Sequence, residues 1–550
     1  MQTTSLSRPS VRPGVFAQRT RFTLALALVI CCFALIGKAA PWELGPGYRR
    51  RPIEAVGSGK DGFTLMSPEA TGILFTNSLS ELRGLGSQIL PSGSGVAAGD
   101  VDGDGLCDLY FCGLKCGNRL YRNLGNWKFE DITDKAGVAC TNLDATGAAL
   151  VDIDGDGDLD LVVNSLGGGT HVFLNDGHGK FSEAKYVLNR GRGGMSMALG
   201  DYDGDGLLDL YVANYRVHAV GDEPDVRFNL RNINGQLVVA SINGKPLTDP
   251  EWTNRFRFDI RENDKGGVRF AKEELGEPDV LYRNLGGGRF EEISFTGGAF
   301  LDEDGKPLVS SPLDWGLGVM FRDLNNDGRP DLYVCNDFAT PDRIWMNIGD
   351  GRFQAVKRLA IRQMPLSSMA IDVADIDRDG NDDLFVVDML SRDHRRRLVQ
   401  RINVRPEVLP PGAIDNRPQY SRNMLQLNRG DGTYAEIAQF AGIEASEWSW
   451  SPIFLDVDLD GYEDLLIANG FLRDNMNLDA LEATKKVTAA QGPTINSMLQ
   501  QRRLFPRLAT PKLAFRNLGN LKFADMSKQW GFDTVAIAQG MCLADLDNDG

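Results

Sequence analysis

From about residue 94 onward, apolar and polar positions alternate in short runs bounded by Gly, Asn and Asp. One stretch shows the unit. An apolar run (GAALVD, residues 147–152) leads into an Asp-rich loop, and a β-branched run (LDLVVN, 159–164) leaves it. A third run (THVFLN, 170–175) ends at an Asn, and after a Gly-containing turn KFSEAK (180–185) is the fourth. Alternating, β-branched segments of this length separated by Gly/Asn/Asp turns predict four antiparallel strands.

The unit recurs. D-x-[DN]-x-D-G-x-x-D-[LI] starts at Asp100, Asp152, Asp201, Asp323, Asp375 and Asp456, and a seventh copy starts at Asp545 and is cut at Gly550. After each complete copy comes an Asn, with a Gly two residues later and an aromatic six residues later. These pairs are Asn123/Phe129, Asn175/Phe181, Asn284/Phe290, Asn347/Phe353, Asn428/Tyr434 and Asn517/Phe523. The first copies lie 52 and 49 residues apart. Four-stranded units at that period predict an all-β fold, a β-propeller of four-stranded blades. A solenoid is the alternative, but an antiparallel meander favours radial closure. Seven blades are expected, the last incomplete in this chain. The natural chain is expected to continue past Gly550, and Thr71–Asn77 (TGILFTN) is a candidate for one ring-closing strand.

The Asp loop has the chemistry of a calcium site. Carboxylates at alternate positions 1, 3 and 5, with Gly at 6, let the backbone curl around one hard cation, and an Asp at 9 closes the shell. Oxygen-only donors suit Ca²⁺ better than Mg²⁺, which demands stricter octahedral geometry. The expected ligands are Asp100, Asp102, Asp104 and Asp108, then Asp152, Asp154, Asp156 and Asp160, then Asp201, Asp203, Asp205 and Asp209. They continue with Asp323, Asn325, Asp327 and Asp331, with Asp375, Asp377, Asp379 and Asp383, with Asp456, Asp458, Asp460 and Asp464, and with Asp545, Asp547 and Asp549. About one ion per complete repeat follows. An EF-hand needs Glu at position 12, where this chain has Phe111, Val163, Val212, Val334, Val386 or Ile467, so that module is excluded.

Composition now acquires a meaning. Asp supplies 54 of the 75 acidic residues, against 59 basic ones, for a net charge of −16. Of those Asp, 26 stand at loop ligand positions, so much of the acidity is metal-ligand charge. The sign disfavours a nucleic-acid partner. At the N-terminus, residues 1–21 carry four Arg and no acid, and Phe22–Gly37 is an apolar run followed by Lys38-Ala39-Ala40. This reads as a signal peptide or N-terminal anchor over residues 1–40, and so as export to the periplasm, cell surface or medium. Without it the charge is −21. In an oxidising compartment Cys107, Cys112, Cys116 and Cys140 are candidates for local disulfides with pairing open, whereas Cys335 and Cys542 read as buried thiols.

The two linked motifs, with LYRNLG at Leu120–Gly125 and Leu281–Gly286 and FRNLG at Phe515–Gly519, resemble the FG-GAP/VCBS repeat family of calcium-loop propellers, also found in integrin α-subunits. The resemblance covers residues 94–550. FEDITDKAGV (Phe129–Val138) and EWSWSPIFLDVDLDG (Glu447–Gly461) are similar to bacterial proteins of the cartilage-acidic-protein and ASPIC/UnbV type. This implies an exported, calcium-dependent binding or adhesion propeller. Asn325, a weaker ligand, and the cut seventh copy depart from the pattern.

First Asp to Asn spans 23, 23 and 24 residues in the compact units but 83, 53 and 61 in units three, five and six. The expansions, at about 215–278, 388–420 and 470–510, fall between second and third strands, on the face opposite the Asp loops. Trp315, Trp448 and Trp450 precede first strands on that same face. Long loops on a rigid scaffold mark a binding face, here for a protein or a glycan. Arg392, Arg395, Arg396, Arg397 and Arg401 form a basic cluster that reads either as a polyanion contact or as a solvated helix face. His171, His178, His218 and His394 are scattered, and neither H-E-x-x-H nor G-x-S-x-G occurs. A non-enzymatic binding module is therefore the first reading, and a glycan-active enzyme such as a polysaccharide lyase the alternative.

Overall fold

The computed structural model describes residues 43–45, 48–50 and 61–548, except 224, 235, 263–267, 339 and 402–416. Two compact units divide the chain, Met1–Gly59 with Gly550 and Lys60–Asp549. In the first, Glu43–Gly45 and Tyr48–Arg50 form an antiparallel hairpin. Residues 1–40, where an export segment is expected, and Asp549 lie outside the described residues, among which no helix is long and apolar enough to cross a membrane.

The second unit is the β-propeller. Blade one comprises Val96–Gly99, Asp108–Phe111, Arg119–Asn123 and Phe129–Asp131 in antiparallel order. Blade two (Ala145–Val151, Asp160–Ser165, Gly169–Asn175, Phe181–Glu183) repeats that order, as does blade three (Gly194–Gly200, Asp209–Asn214, Val280–Asn284, Phe290–Ile293). Blade four (Gly316–Arg322, Asp331–Asn336, Arg343–Gly349, Arg352–Ala355) gains a short fifth strand, Phe300–Leu301, parallel to its outer edge. Blades five (Ile371–Ala374, Asp383–Val386, Met424–Asn428, Tyr434–Glu436) and six (Ser449–Leu455, Asp464–Asn469, Leu513–Asn517, Phe523–Asp525) complete the series.

Register explains both motif spacings. The residue before each loop's first Asp pairs across the hairpin with the Asp at position 9: Gly99 with Asp108, Val151 with Asp160, Gly200 with Asp209. The Asn–aromatic separation of six is likewise a cross-strand pair, Asn123 with Phe129, Asn347 with Phe353, Asn517 with Phe523. Second strands, flanked by neighbours on both faces, are buried along their whole length in blades two, three, four and six. They read as continuous apolar runs for that reason.

The expansions have their own structure. That of unit three is a three-stranded sheet (Phe228–Ile233, Gln236–Ile242, Lys245–Pro246) and a hairpin (Phe256–Glu262, Val268–Glu274) around a small core of Val239, Ile242 and Trp252. That of unit six is a helical hairpin, Leu478–Gln491 and Ile495–Leu504, the second helix opening on a Thr494/Ser497 capping box.

Two expectations are corrected. Thr71–Asn77 enters no ladder; after a helical turn ending at Thr71 it runs as loop, with Ile73 and Phe75 packed on Leu109, Tyr121 and Phe129 of blade one. The first strand of the seventh copy also forms no ladder, because it has no partner strand of its own unit among the described residues. The segment still lies beside blade one. Leu546 O accepts from Asn123 Nδ2 at 2.8 Å, and Asn548 Nδ2 donates to Gly105 O at 2.7 Å. The second contact reproduces the seam between blades four and five, where Asn326 Nδ2 donates to Gly380 O.

The six cysteines after residue 40 are free thiols, so no local disulfide forms. Cys112 is buried just after the strand Asp108–Phe111, and Cys140 Sγ lies 3.8 Å from the Tyr110 hydroxyl. Cys335 is buried as expected, whereas Cys542 is exposed.

Candidate metal loops and the opposite aromatic cavity

Each Asp loop is folded by its own carboxylates. In blade one the amides of Gly103 and Asp104 donate to Asp100 Oδ1 (2.8 and 3.2 Å) and that of Gly105 to Oδ2 (2.8 Å). Asp104 Oδ1 accepts from Leu106 N at 2.9 Å. This curl requires left-handed backbone at positions 4 and 6. Glycine supplies it at Gly103 and Gly105, but position 4 is Arg378 (φ 63°) in blade five and Leu459 (φ 55°) in blade six, where a side chain carries the strain. Asn548 in the seventh copy has the same conformation, φ 60°.

Position 9 belongs as much to the scaffold as to the loop. Asp108 Oδ2 accepts from Val101 N (3.0 Å) and Oδ1 from Asn123 N (2.7 Å), and blades two to five repeat the pattern through Asp160, Asp209, Asp331 and Asp383. Blade six does the same through Asp464, which accepts from Val457 N and Asn517 N. Burial pushes Asp108, Asp160 and Asp464 up to about 6, and Asp209, Asp331 and Asp383 up to about 7, against those amides.

At position 3 a carboxylate oxygen is left over. Oδ1 of Asp102, Asp203, Asp377 and Asp458 is buried and has no hydrogen-bond partner. Burial, then the charges of neighbouring loop Asp, raise Asp102 and Asp377. Oxygens of Asp100/Asp102/Asp108, Asp152/Asp154/Asp160, Asp201/Asp203/Asp209, Asp375/Asp377/Asp383 and Asp456/Asp458/Asp460 come within 4.8 Å of one another. An all-oxygen cluster with an orphaned buried acceptor fits a hard cation. The loop carrying Asn325 is not among these clusters; there Asn325 Nδ2 donates to Asp327 Oδ2. Asp545 and Asp547 likewise belong to none of them.

One partner was missed from sequence. The residue before the motif Asn is Arg122, Arg283 or Arg516 in blades one, three and six, and it bridges positions 3 and 5. Arg122 Nε lies 2.6 Å from Asp102 Oδ2 and its Nη2 2.9 Å from Asp104 Oδ2. Arg283 and Arg516 repeat this with Asp203/Asp205 and Asp458/Asp460. The LYRN and FRN motifs carried the signal.

The motif Asn is the second element that sequence reasoning left without a role. Its side-chain amide donates to the position-2 carbonyl of the preceding unit: Asn123 to Leu546, Asn175 to Val101, Asn284 to Ile153, Asn347 to Tyr202 and Asn517 to Ile376, each at 2.8 Å. Blade five differs. Asn428 Nδ2 bonds Asp382 O of its own loop, and the Tyr434 hydroxyl reaches Leu324 O at 3.5 Å. A cavity of about 510 Å³ opens at this seam.

On the face opposite the Asp loops, a second cavity of about 340 Å³ gathers side chains from blades three to six. Tyr215, Trp315 and Phe338 form one wall, with ring centroids 4.6 and 5.0 Å apart along the series. Trp448, Trp450 and Phe471 form another, Trp448 stacked on Phe471 at 4.1 Å. The Trp315, Trp448 and Trp450 of the sequence reading thus converge. Phe338 is 47% exposed and holds a left-handed φ of 58°, a strained conformation for an aromatic. The buried Asp337 accepts from the Tyr215 hydroxyl and from Phe338 N, both at 2.6 Å, and burial raises its carboxyl above the usual range.

The basic cluster is mostly spoken for. Arg392 pairs with Asp525 (2.7 Å), Arg396 with Glu447 (3.3 Å) and Arg397 with Glu444 (3.9 Å), so the helix His394–Val399 is tied to blades five and six. Arg401 instead lines the aromatic cavity.

A model of the FG-GAP-like repeat matches residues 100–163, 152–212 and 323–386. Cartilage acidic protein 1 of Xenopus tropicalis is 23% identical over 419 residues, 68% of this chain and 57% of that protein. The Homo sapiens protein is 23% identical over 420 residues, 68% of this chain and 56% of its own. The chain thus spans little more than half the length of these relatives. Among solved structures, an Agrocybe aegerita lectin that recognises non-reducing terminal N-acetylglucosamine aligns at 17% identity and TM-score 0.27, over 62% of this chain and 77% of its own. The lectin BP39L of Burkholderia pseudomallei aligns at 11% identity and TM-score 0.31, over 69% and 93%. TM-scores this low say nothing about ligands.

Proposed function

Because this chain is built from FG-GAP-like repeats, we propose that it is an exported, calcium-stabilised binding module whose recognition face lies opposite the Asp loops. Calcium would be held by the acids at positions 1, 3, 5 and 9, and when bound would supply the positive charge that the orphaned position-3 oxygens lack. The role of these loops is then to stiffen one face of the scaffold. The observation that carries recognition is the aromatic cavity on the other face, built from loops of four blades around the strained, exposed Phe338. A protein or glycan ligand suits such a surface.

The alternative, glycan turnover, is less well supported. The Tyr215 hydroxyl is held by Asp337 and is pushed well above the ordinary tyrosine range by burial and then by that carboxylate, which argues against it as a base at neutral pH. A glycan array probed with the calcium-loaded chain and with a Phe338→Ala/Trp448→Ala variant tests the reading. Binding that the double variant abolishes is expected. Product release from a bound glycan would support the enzyme, and binding indifferent to both substitutions would place recognition elsewhere.

A further inference from the structure

The aromatic cavity is lined by hydrogen-bond donors as well as rings. Trp448 lines it, and its Nε1–H is buried without a hydrogen-bond partner. An indole N–H left so is an unmet demand for an acceptor. Arg401 also lines the cavity and is exposed, and among the described residues no carboxylate pairs with its guanidinium. Gln88 and Asn475 add side-chain amides.

The acid within reach does not offset this. Asp337 accepts one hydrogen bond on each oxygen, from the Tyr215 hydroxyl and from Phe338 N, and is buried in the wall. An aromatic box with a free carboxylate would suit an organic cation. Here the carboxylate is hydrogen-bonded within the wall, and among the described residues the Arg401 guanidinium has no carboxylate partner.

A ligand that meets these features has a flat apolar face for the rings, hydroxyls for the amides and a negative group for Arg401. A volume of about 340 Å³ sits at the small end of ligand cavities, enough for a compact ring and too little for a folded segment. We propose that the cavity binds a carboxylated pyranose, a uronic acid residue, with its ring against Phe338 and Trp448, an oxygen on Trp448 Nε1–H and its carboxylate on Arg401. This rests on the recognition role of this face and narrows it to one chemistry.

Tryptophan fluorescence of the calcium-loaded full chain, titrated with glucuronate, glucose, tetramethylammonium and N-acetylaspartate amide, tests it. Glucuronate is expected to bind at least tenfold more tightly than any of the others. Arg401→Gln should bring it down to the level of glucose without changing the melting temperature, and Trp448→Phe should weaken both sugars. Equal binding of glucuronate and glucose, or an effect of Arg401→Gln on neither, would overturn the carboxylate assignment. Preference for tetramethylammonium would mean a cation site, and preference for N-acetylaspartate amide an acidic peptide site; either overturns the proposal. Silence with all four probes also overturns it. If the glycan array still shows binding that requires Phe338 and Trp448, the broader reading survives that failure.

Discussion

At the residue scale, the Asp loops carry two different acids in one motif. Positions 1 and 9 also accept backbone amides, whereas position 3 keeps an oxygen without a hydrogen-bond partner. In blades one, three and six an Arg already leans on positions 3 and 5, which lowers the negative charge offered to a cation; blades two and five have Leu174 and Leu427 at that place. Arg122→Gln should therefore raise calcium affinity at its loop. The side chain is more than one-third exposed, so solvent screening limits the gain to about 0.5–1 kcal/mol, a few-fold in dissociation constant by calorimetry. Position 9 predicts a pH dependence. Its folded-state carboxyls lie at about 6–7, above the unfolded value, so their stabilising effect is complete in acid and lost as pH rises through that range. In EDTA the melting temperature should fall between pH 5 and pH 8 by several degrees or more. In calcium, which favours the ionised form, that fall should shrink or reverse. A flat profile in EDTA would contradict the assignment.

At the element scale, the motif Asn is a seam between blades. Its amide bonds a carbonyl 74 residues away in the case of Asn175 and 131 in that of Asn284, so sequence periodicity displayed the residue but not its partner. Asn347→Ala leaves Asp331 in place yet orphans the buried Tyr202 carbonyl, and should destabilise by about 1–3 kcal/mol in urea unfolding. Asn428→Ala, at the seam with no such bond, should cost measurably less. The strands, the loop positions and the six-residue pairing were legible because each is a local pattern. A second register went unread: the residue five before each Asn closes the second-to-third connection. There Asp279 and Asp342 accept from Tyr211 and Tyr333, and Asn118 donates to Tyr110. It escaped notice because its identity changes, up to the buried Lys512 of blade six, whose Nζ donates to the carbonyls of Asn469, Thr510 and Ala536. Burial lowers that amine to about 8. The Arg run at 392–397 was visible without its partners, since Glu444, Glu447 and Asp525 lie in later parts of the chain.

At the scale of the whole propeller, the sequence separates two tasks by strand connection. First-to-second loops hold the acids, and second-to-third and fourth-to-first loops hold the aromatic cavity. Among the described residues five loops carry the acid clusters, so the chain without residues 1–40, at −21, would fall to about −11 with one Ca²⁺ in each. Removing that repulsion from one face should be visible in the stability of the entire unit, because ligands that bind only the folded state raise its melting temperature by mass action. The direct test is calcium-dependent calorimetric melting with the bound metal counted in parallel. The account predicts about five Ca²⁺ per chain and a melting temperature that climbs by many degrees between EDTA and millimolar calcium. A melting curve that is the same in both, with no metal retained, would contradict it.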